Sequence, residues 1–271
     1  MRLFIAVDLE GITGVVSEQE TDRSGPAAAG AWVHMRADLD AVLDGCLAAG
    51  ADEIVVCDAH DSGRNLNAAG LPDQVVLVGG SGAPLSMVQG IDAACDAALF
   101  VGYHARAGTA AAVLEHTWNY KVFGAWLGEL EVGEFGIGAL VAGSLGVPAV
   151  FLSGDDKAAA EAEALVPGIL TTVVKRGVTR LSAELCAPDE ARARLRDDAE
   201  RALTAAEKPA PLIWNGEPLR LTFTRVEYCD LAASCPGVLR LDGRTLELPG
   251  SGFGEIYERF LACTRLSDLE G

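Results

Sequence analysis

The sequence predicts an α/β fold: a doubly wound, mostly parallel sheet with a second, smaller α+β domain. Three observations carry this. Short runs rich in Val, Ile and Leu recur through the first part of the chain and are continuous rather than alternating, as in strands covered on both faces. Ala-rich stretches with helical spacing lie between them. After about Lys175 the texture changes to charged amphipathic segments and turn-flanked strands. The expected division is residues 1–180 and 181–271.

The first strand is Leu3 to Val7, ending in "VDLEGITG". A helical stretch from Ala27 to Ala49 follows, then strands at Glu53–Cys57, Val75–Val78 and Ala98–Gly102. Gly136–Leu145 reads as a helix and Val147–Leu152 as a strand. Asp156–Leu165 is a helix that Asp155 or Asp156 can cap. Leu170–Val174 is the last strand of this type. Beyond it, Pro188–Glu207 reads as a charged helix and Leu219–Glu227 as a half-exposed strand. The segment "GVLRLDGRTLELPG" forms a hairpin about Asp242-Gly243, and Glu255–Leu266 is an amphipathic helix.

Composition excludes several classes of function. The formal charge is −18 and the 21 Lys and Arg form no cluster, so a nucleic-acid partner is not expected. No apolar run reaches the roughly 18 residues of a membrane span. The chain enters its first strand after one Arg, unlike a signal peptide, and a cytoplasmic location is expected. Seven scattered cysteines without a Cys-x-x-Cys pair fit reduced thiols rather than a disulfide framework.

In an open parallel sheet, ligands bind beyond the carboxyl ends of the strands, and three strands here end in residues that can hold a metal. The first ends in Asp8 and Glu10, two apart and so able to share a face, with Gly11 letting the backbone turn away. "EIVVCDAHDS" ends with Asp58 and His60, and "ALFVGYHARAG" with His104. Twelve residues on is His116, and His34 lies on a helical face as a packed or surface residue. Singly, each strand-end residue reads as a cap or a loop hydrogen bond. Jointly, two imidazoles and several carboxylates match zinc, or manganese where oxygen ligands dominate. Acids crowded into a crevice also repel, and two divalent ions sharing a carboxylate relieve this. In "GELEVGEFGIG", spacing does not separate Glu129, Glu131 and Glu134, and a Glu in a first helical turn is favoured by the helix dipole alone.

These motifs resemble the zinc-dependent D-aminopeptidases of the DppA type, a family of self-compartmentalising metallopeptidases. The resemblance runs through "VDLEGITG", "DAHDSGRN", "SMVQGIDAACDAALFVGYHARAGT", "EHT", "GELEVGEFGIGALVAG" and "VPAVFLSGDDKAAAEAEALVP", in that order, and fades after about residue 180. It implies two zinc ions per chain, bridged by Asp8, with Glu10, His60, His104 and Glu134 as the other ligands. His116 matches the histidine proposed in the family as nucleophile or base. Glu134 is selected by this resemblance alone. The resemblance also implies cleavage of the N-terminal amide of short peptides or amino-acid amides, with D-residue selectivity, inside a ring-like homo-oligomer such as a decamer. Two departures stand out: Ala6 replaces the usual Ser before Asp8, and Ala110-Ala111 replaces a usual Pro-Gly ahead of His116.

Other readings use similar residues. A dimetal phosphoesterase would need cationic donors, and only Arg64 and Arg106 lie near the motifs. A related amidase acting on a specialised biosynthetic amide would share the whole site. A binding protein without turnover would tolerate loss of His116.

Overall fold

In the computed structural model, which describes residues 1–269, strand β1 (Arg2–Val7) lies inside a seven-stranded sheet. The chain continues through α1 (Glu18–Thr21), α2 (Ala28–Ala48), β2 (Glu53–Asp58), β3 (Val75–Val78), β4 (Ala97–Tyr103), β5 (Val122–Leu127), β6 (Leu130–Glu131), α3 (Glu134–Ser144), β7 (Ala149–Asp155) and α4 (Asp156–Leu165). It then forms β8 (Leu170–Thr179), β9 (Ser182–Leu185), α5 (Pro188–Thr204), β10 (Leu219–Phe223), α6 (Val226–Ala232), β11 (Leu239–Arg240), β12 (Thr245–Leu248) and α7 (Phe253–Ser267).

The large sheet has the order β3-β2-β1-β4-β7-β8-β9, parallel except for β9. The chain goes from β1 to β2 and β3 on one side, then returns to pair β4 on the other. That reversal is a topological switch point, where a crevice opens beyond the strand ends.

Side chains along β1 alternate between two cores. Leu3, Ile5 and Val7 pack with Met35 and Leu39 of α2 and Leu195 of α5, while Phe4 and Ala6 join Phe135 of α3 and Phe260 of α7 on the opposite face. Burying each large side chain is worth about 1.5–3 kcal/mol. A slip of β1 by one residue would exchange the two sets, so packing pins the register that places Asp8 at the strand end.

A second, antiparallel sheet has the order β11-β12-β10-β5-β6. It joins chain from both sides of residue 180, with Leu219 opposite Leu127 and Leu221 opposite Ala125. Helix α5, which follows that residue, packs on α2 of the large sheet. The expected division at 180/181 therefore does not coincide with the sheets. The strand expected at Leu219–Glu227 ends at Phe223. Its inward alternation of Leu219, Leu221 and Phe223 gives way to Cys229 and Ala232, three apart, on the buried side of α6.

Two glycines allow the loop after β1 to lie against β4. Gly11 donates its N–H to the Gly102 carbonyl at 2.7 Å, and Gly102 takes φ 72°. A Cβ on Gly11 would fall 2.1 Å from the Tyr103 carbonyl oxygen. Gly11→Ala must therefore push the loop off β4, and we expect a loss of at least about 1–3 kcal/mol in denaturant melts of the metal-free chain.

Candidate metal centre

The strand ends and one helix start bring six side chains to the switch point. Asp8 and Glu10 follow β1, His60 follows β2, His104 follows β4, His116 lies in the loop before β5, and Glu134 opens α3. His60 Nδ1 is 3.3 Å from Asp8 Oδ1 and 3.1 Å from Glu10 Oε2. His104 Nε2 is 3.5 Å from Asp8 Oδ2 and 3.4 Å from Glu134 Oε1. His116 Nε2 is 3.6 Å from Glu134 Oε1, and its ring stacks on His104 with centroids 4.0 Å apart.

Backbone contacts fix which imidazole nitrogen faces the cluster. His60 Nε2 donates to the Thr21 carbonyl at 2.9 Å, leaving Nδ1 toward the carboxylates. His104 and His116 donate from Nδ1 to the carbonyls of Ala105 and Leu114, both at 2.9 Å, leaving each Nε2 inward. Such outer hydrogen bonds set the tautomer of a metal-binding histidine. Glu134 Oε1 accepts from the Trp118 N–H at 2.6 Å.

Asp8 Oδ2, Glu10 Oε2 and His104 Nε2 are buried without a hydrogen-bond partner. Unsatisfied polar atoms of this kind are costly inside a protein. Ligand atoms of Asp8, Glu10 and His104 lie within 4.8 Å of one another, as do those of His104, His116 and Glu134. A mixed nitrogen and oxygen set with inward lone pairs fits divalent zinc or manganese.

The electrostatics point the same way. Burial and the neighbouring Glu10 push the Asp8 carboxyl up to about 7. Burial would lower His60 and His104, but Glu10 and Asp8 on one side, and Glu134 and Asp8 on the other, hold them well above the usual imidazole value. Burial would raise Glu10 and Glu134, yet His60 and His104 respectively keep both low. His116 is lowered, by burial and then by His104.

These directions give a pH prediction for the metal-free chain. A raised Asp8 contributes stability below its ordinary 3.8 that is lost as pH climbs to about 7. Raised His60 and His104 contribute below their ordinary 6.5 and lose it as pH passes their folded values. The lowered Glu10 and Glu134 contribute above 4.5 and lose it on acidification through their folded values. Stability should therefore fall from mildly acidic pH through neutrality. Metal binding requires deprotonated ligands, so the stabilisation it adds grows with pH. Thermal melts at pH 5 and pH 8, with and without chelator, should show the larger metal-dependent rise at pH 8.

A cleft of about 880 Å³ opens over the cluster, lined by Asp8, Glu10, His60, His116, Trp118 and Glu134 among others. A second hollow of about 630 Å³ meets it at Glu18, His116 and Tyr120. Residues 1–262 match the family model described as D-aminopeptidase, peptidase family M55. The chain belongs to the D-aminopeptidase family. It is 31% identical to a D-aminopeptidase of Bacillus subtilis strain 168 over 269 residues, covering 98% of each chain. It also superposes with a TM-score of 0.96 and 30% identity on the Zn-dependent D-aminopeptidase DppA from Bacillus subtilis, a self-compartmentalizing protease, covering 100% of this chain and 99% of that one.

Within this M55 chain, Asp58 does not join the cluster. Its carboxylate accepts from the N–H groups of Asn65 and Leu66 and from the Asn65 side chain, because β2 ends there and the backbone turns at Asp61, with φ 49°. His34 is held by Arg192 at 2.9 Å. Asp155 caps α4 and also accepts from Val113 N–H, tying down the loop of His116. Ala6 points into the core, and Ala111 takes φ 57°, a conformation glycine adopts at little cost. Leu114 and Trp118, two residues either side of His116, are also left-handed, so this loop stores strain beside the cluster.

Tyr120, Trp118 and Lys175 were not selected by sequence reasoning. Tyr120 stands at the rim, 5.3 Å from the His116 ring, beneath the Arg180 guanidinium. Lys175 had one signal, a lysine next to an apolar strand run, and it is fully buried.

Proposed function

We propose that this M55 chain is a dizinc aminopeptidase that hydrolyses the N-terminal amide of short peptides or amino-acid amides, with D-residue selectivity. The observation that carries the reading is the placement of Asp8, whose Oδ1 faces His60 and whose Oδ2 faces His104. A carboxylate with its oxygens turned to different histidines suits a bridge between two cations. Glu10 and His60 would complete one position, and His104 and Glu134 the other. The relative of known structure is described as Zn-dependent, which supports zinc as the metal.

When bound, the ions would polarise the scissile carbonyl and lower the pKa of a water between them. His116 supplies the proton chemistry. Its Nδ1–H is tied to Leu114 and its lowered pKa keeps it neutral near pH 7, so Nε2 can accept a proton from the attacking water. It then gives that proton to the departing amine as the C–N bond breaks. Acidic groups around the cleft, Glu18 and Asp22 among them, suit the ammonium of a peptide N-terminus. The relative's self-compartmentalization supports a closed homo-oligomer, such as a decamer, and the exposed Phe123 and Leu130 are apolar surface that such an assembly could cover.

The test is hydrolysis of paired D- and L-alanyl amides and dipeptides before chelation, after it, and after zinc is restored. Chelator-sensitive cleavage that favours the D series is expected. Equal cleavage of both series would remove the selectivity, and cleavage unaffected by chelation would remove the metal.

A further inference from the structure

We propose that Lys175 is a positioning residue that holds Glu10 ready for the metal. Lys175 lies on β8, is 0% exposed, and reaches across the sheet to the turn after β1. Its Nζ donates to the backbone carbonyls of Glu10 at 2.5 Å, Ile12 at 2.9 Å and Val15 at 2.5 Å. An ammonium has three N–H groups and no acceptor, and all three are spent here on one turn. All three partners are backbone carbonyls, so the contact is a clamp on backbone rather than an ion pair. A buried ammonium is expensive to desolvate, and an apolar side chain of similar length would fill the space at lower cost.

The clamp acts on the two acids of β1 unequally. Asp8 is tied to the sheet by its own N–H, which donates to Val101 at 2.8 Å. Glu10 lies beyond the ladder, where the chain is neither helix nor strand. Besides Lys175, the turn is anchored by Gly11 N–H on Gly102, by Thr13 N–H on Asp38 and by two internal bonds, from Ile12 to Leu9 and from Val15 to Ile12. Loss of the ammonium frees the Glu10 carbonyl and leaves Asp8, His104 and Glu134 in place. The inference rests on the dizinc reading, and it says that Lys175 governs the position held by Glu10 and His60, not the other one.

The experiment is titration of the full metal-free chain with Zn²⁺ in competition with a chelator, for wild type and Lys175→Met. Wild type should bind two ions. In the variant one of them should weaken by about 10–100-fold, the range for loss of a group that orients a ligand, while the other stays within about twofold. Unchanged affinity for both ions, or equal weakening of both, would overturn the inference. Lys175→Gln, which keeps an amide donor, should lie between the two and serves if Lys175→Met does not refold; wild-type affinities in it would count against the clamp. Hydrogen exchange of residues 8–17 in metal-free wild type gives a reading that needs no variant. Slow exchange is expected; free exchange that becomes slow only on adding Zn²⁺ would mean the ion orders the turn. A wild-type chain that binds no zinc would instead refute the reading of function.

Discussion

Replacing His116 by Gln should lower kcat by about 10²–10⁴-fold while the chain keeps its metal and KM changes little. Glutamine retains side-chain volume against the His104 ring, which lies 4.0 Å from His116, so the packing beside the cluster survives. What it removes is a nitrogen that can take a proton and return it. Kinetics on an amino-acid amide, with metal content measured on the same preparation, separate the roles. Lost turnover with full metal content supports acid–base work. Lost metal would make His116 a ligand, a role its 3.6 Å distance to Glu134 would also suit.

Asp8→Asn should have the larger effect on binding. Both positions lose their shared carboxylate, so both ions should be lost and hydrolysis should fall below detection. The metal-free variant should nevertheless be more stable than metal-free wild type at pH 8. Burial and the charge of Glu10 move the Asp8 carboxyl from 3.8 to about 7, and ionising it in the folded chain costs on the order of a few kcal/mol. Denaturant melts in chelator at pH 8 check the sign. A metal-free variant less stable than wild type would mean that Asp8 holds the fold together without metal.

The parts legible in the sequence are those governed by local pattern. Continuous apolar runs marked the parallel strands, and β3 spans Val75–Val78 as expected. Asp8, Glu10, His60 and His104 were legible as candidate ligands because each lies just past a strand end, at Val7, Asp58 or Tyr103. Asp58 had the same spacing as its neighbours, but it is still the last residue of β2, and its carboxylate is taken up by the N–H groups of Asn65 and Leu66 in the following loop instead. Glu134 had no local signal. It reaches the cluster because β5 and β6 pair with the second sheet and return the chain to the crevice at the start of α3. Lys175 was hidden for a related reason, since its three acceptors lie 160 or more residues away.

The dizinc site is tested by metal content per chain, measured by elemental analysis of the purified protein and again after chelation and dialysis against zinc. Two ions per chain, removable together and restored with activity, are predicted. A chain that carries none and binds none on addition would contradict it, and the orphaned atoms of Asp8, Glu10 and His104 would then need another partner.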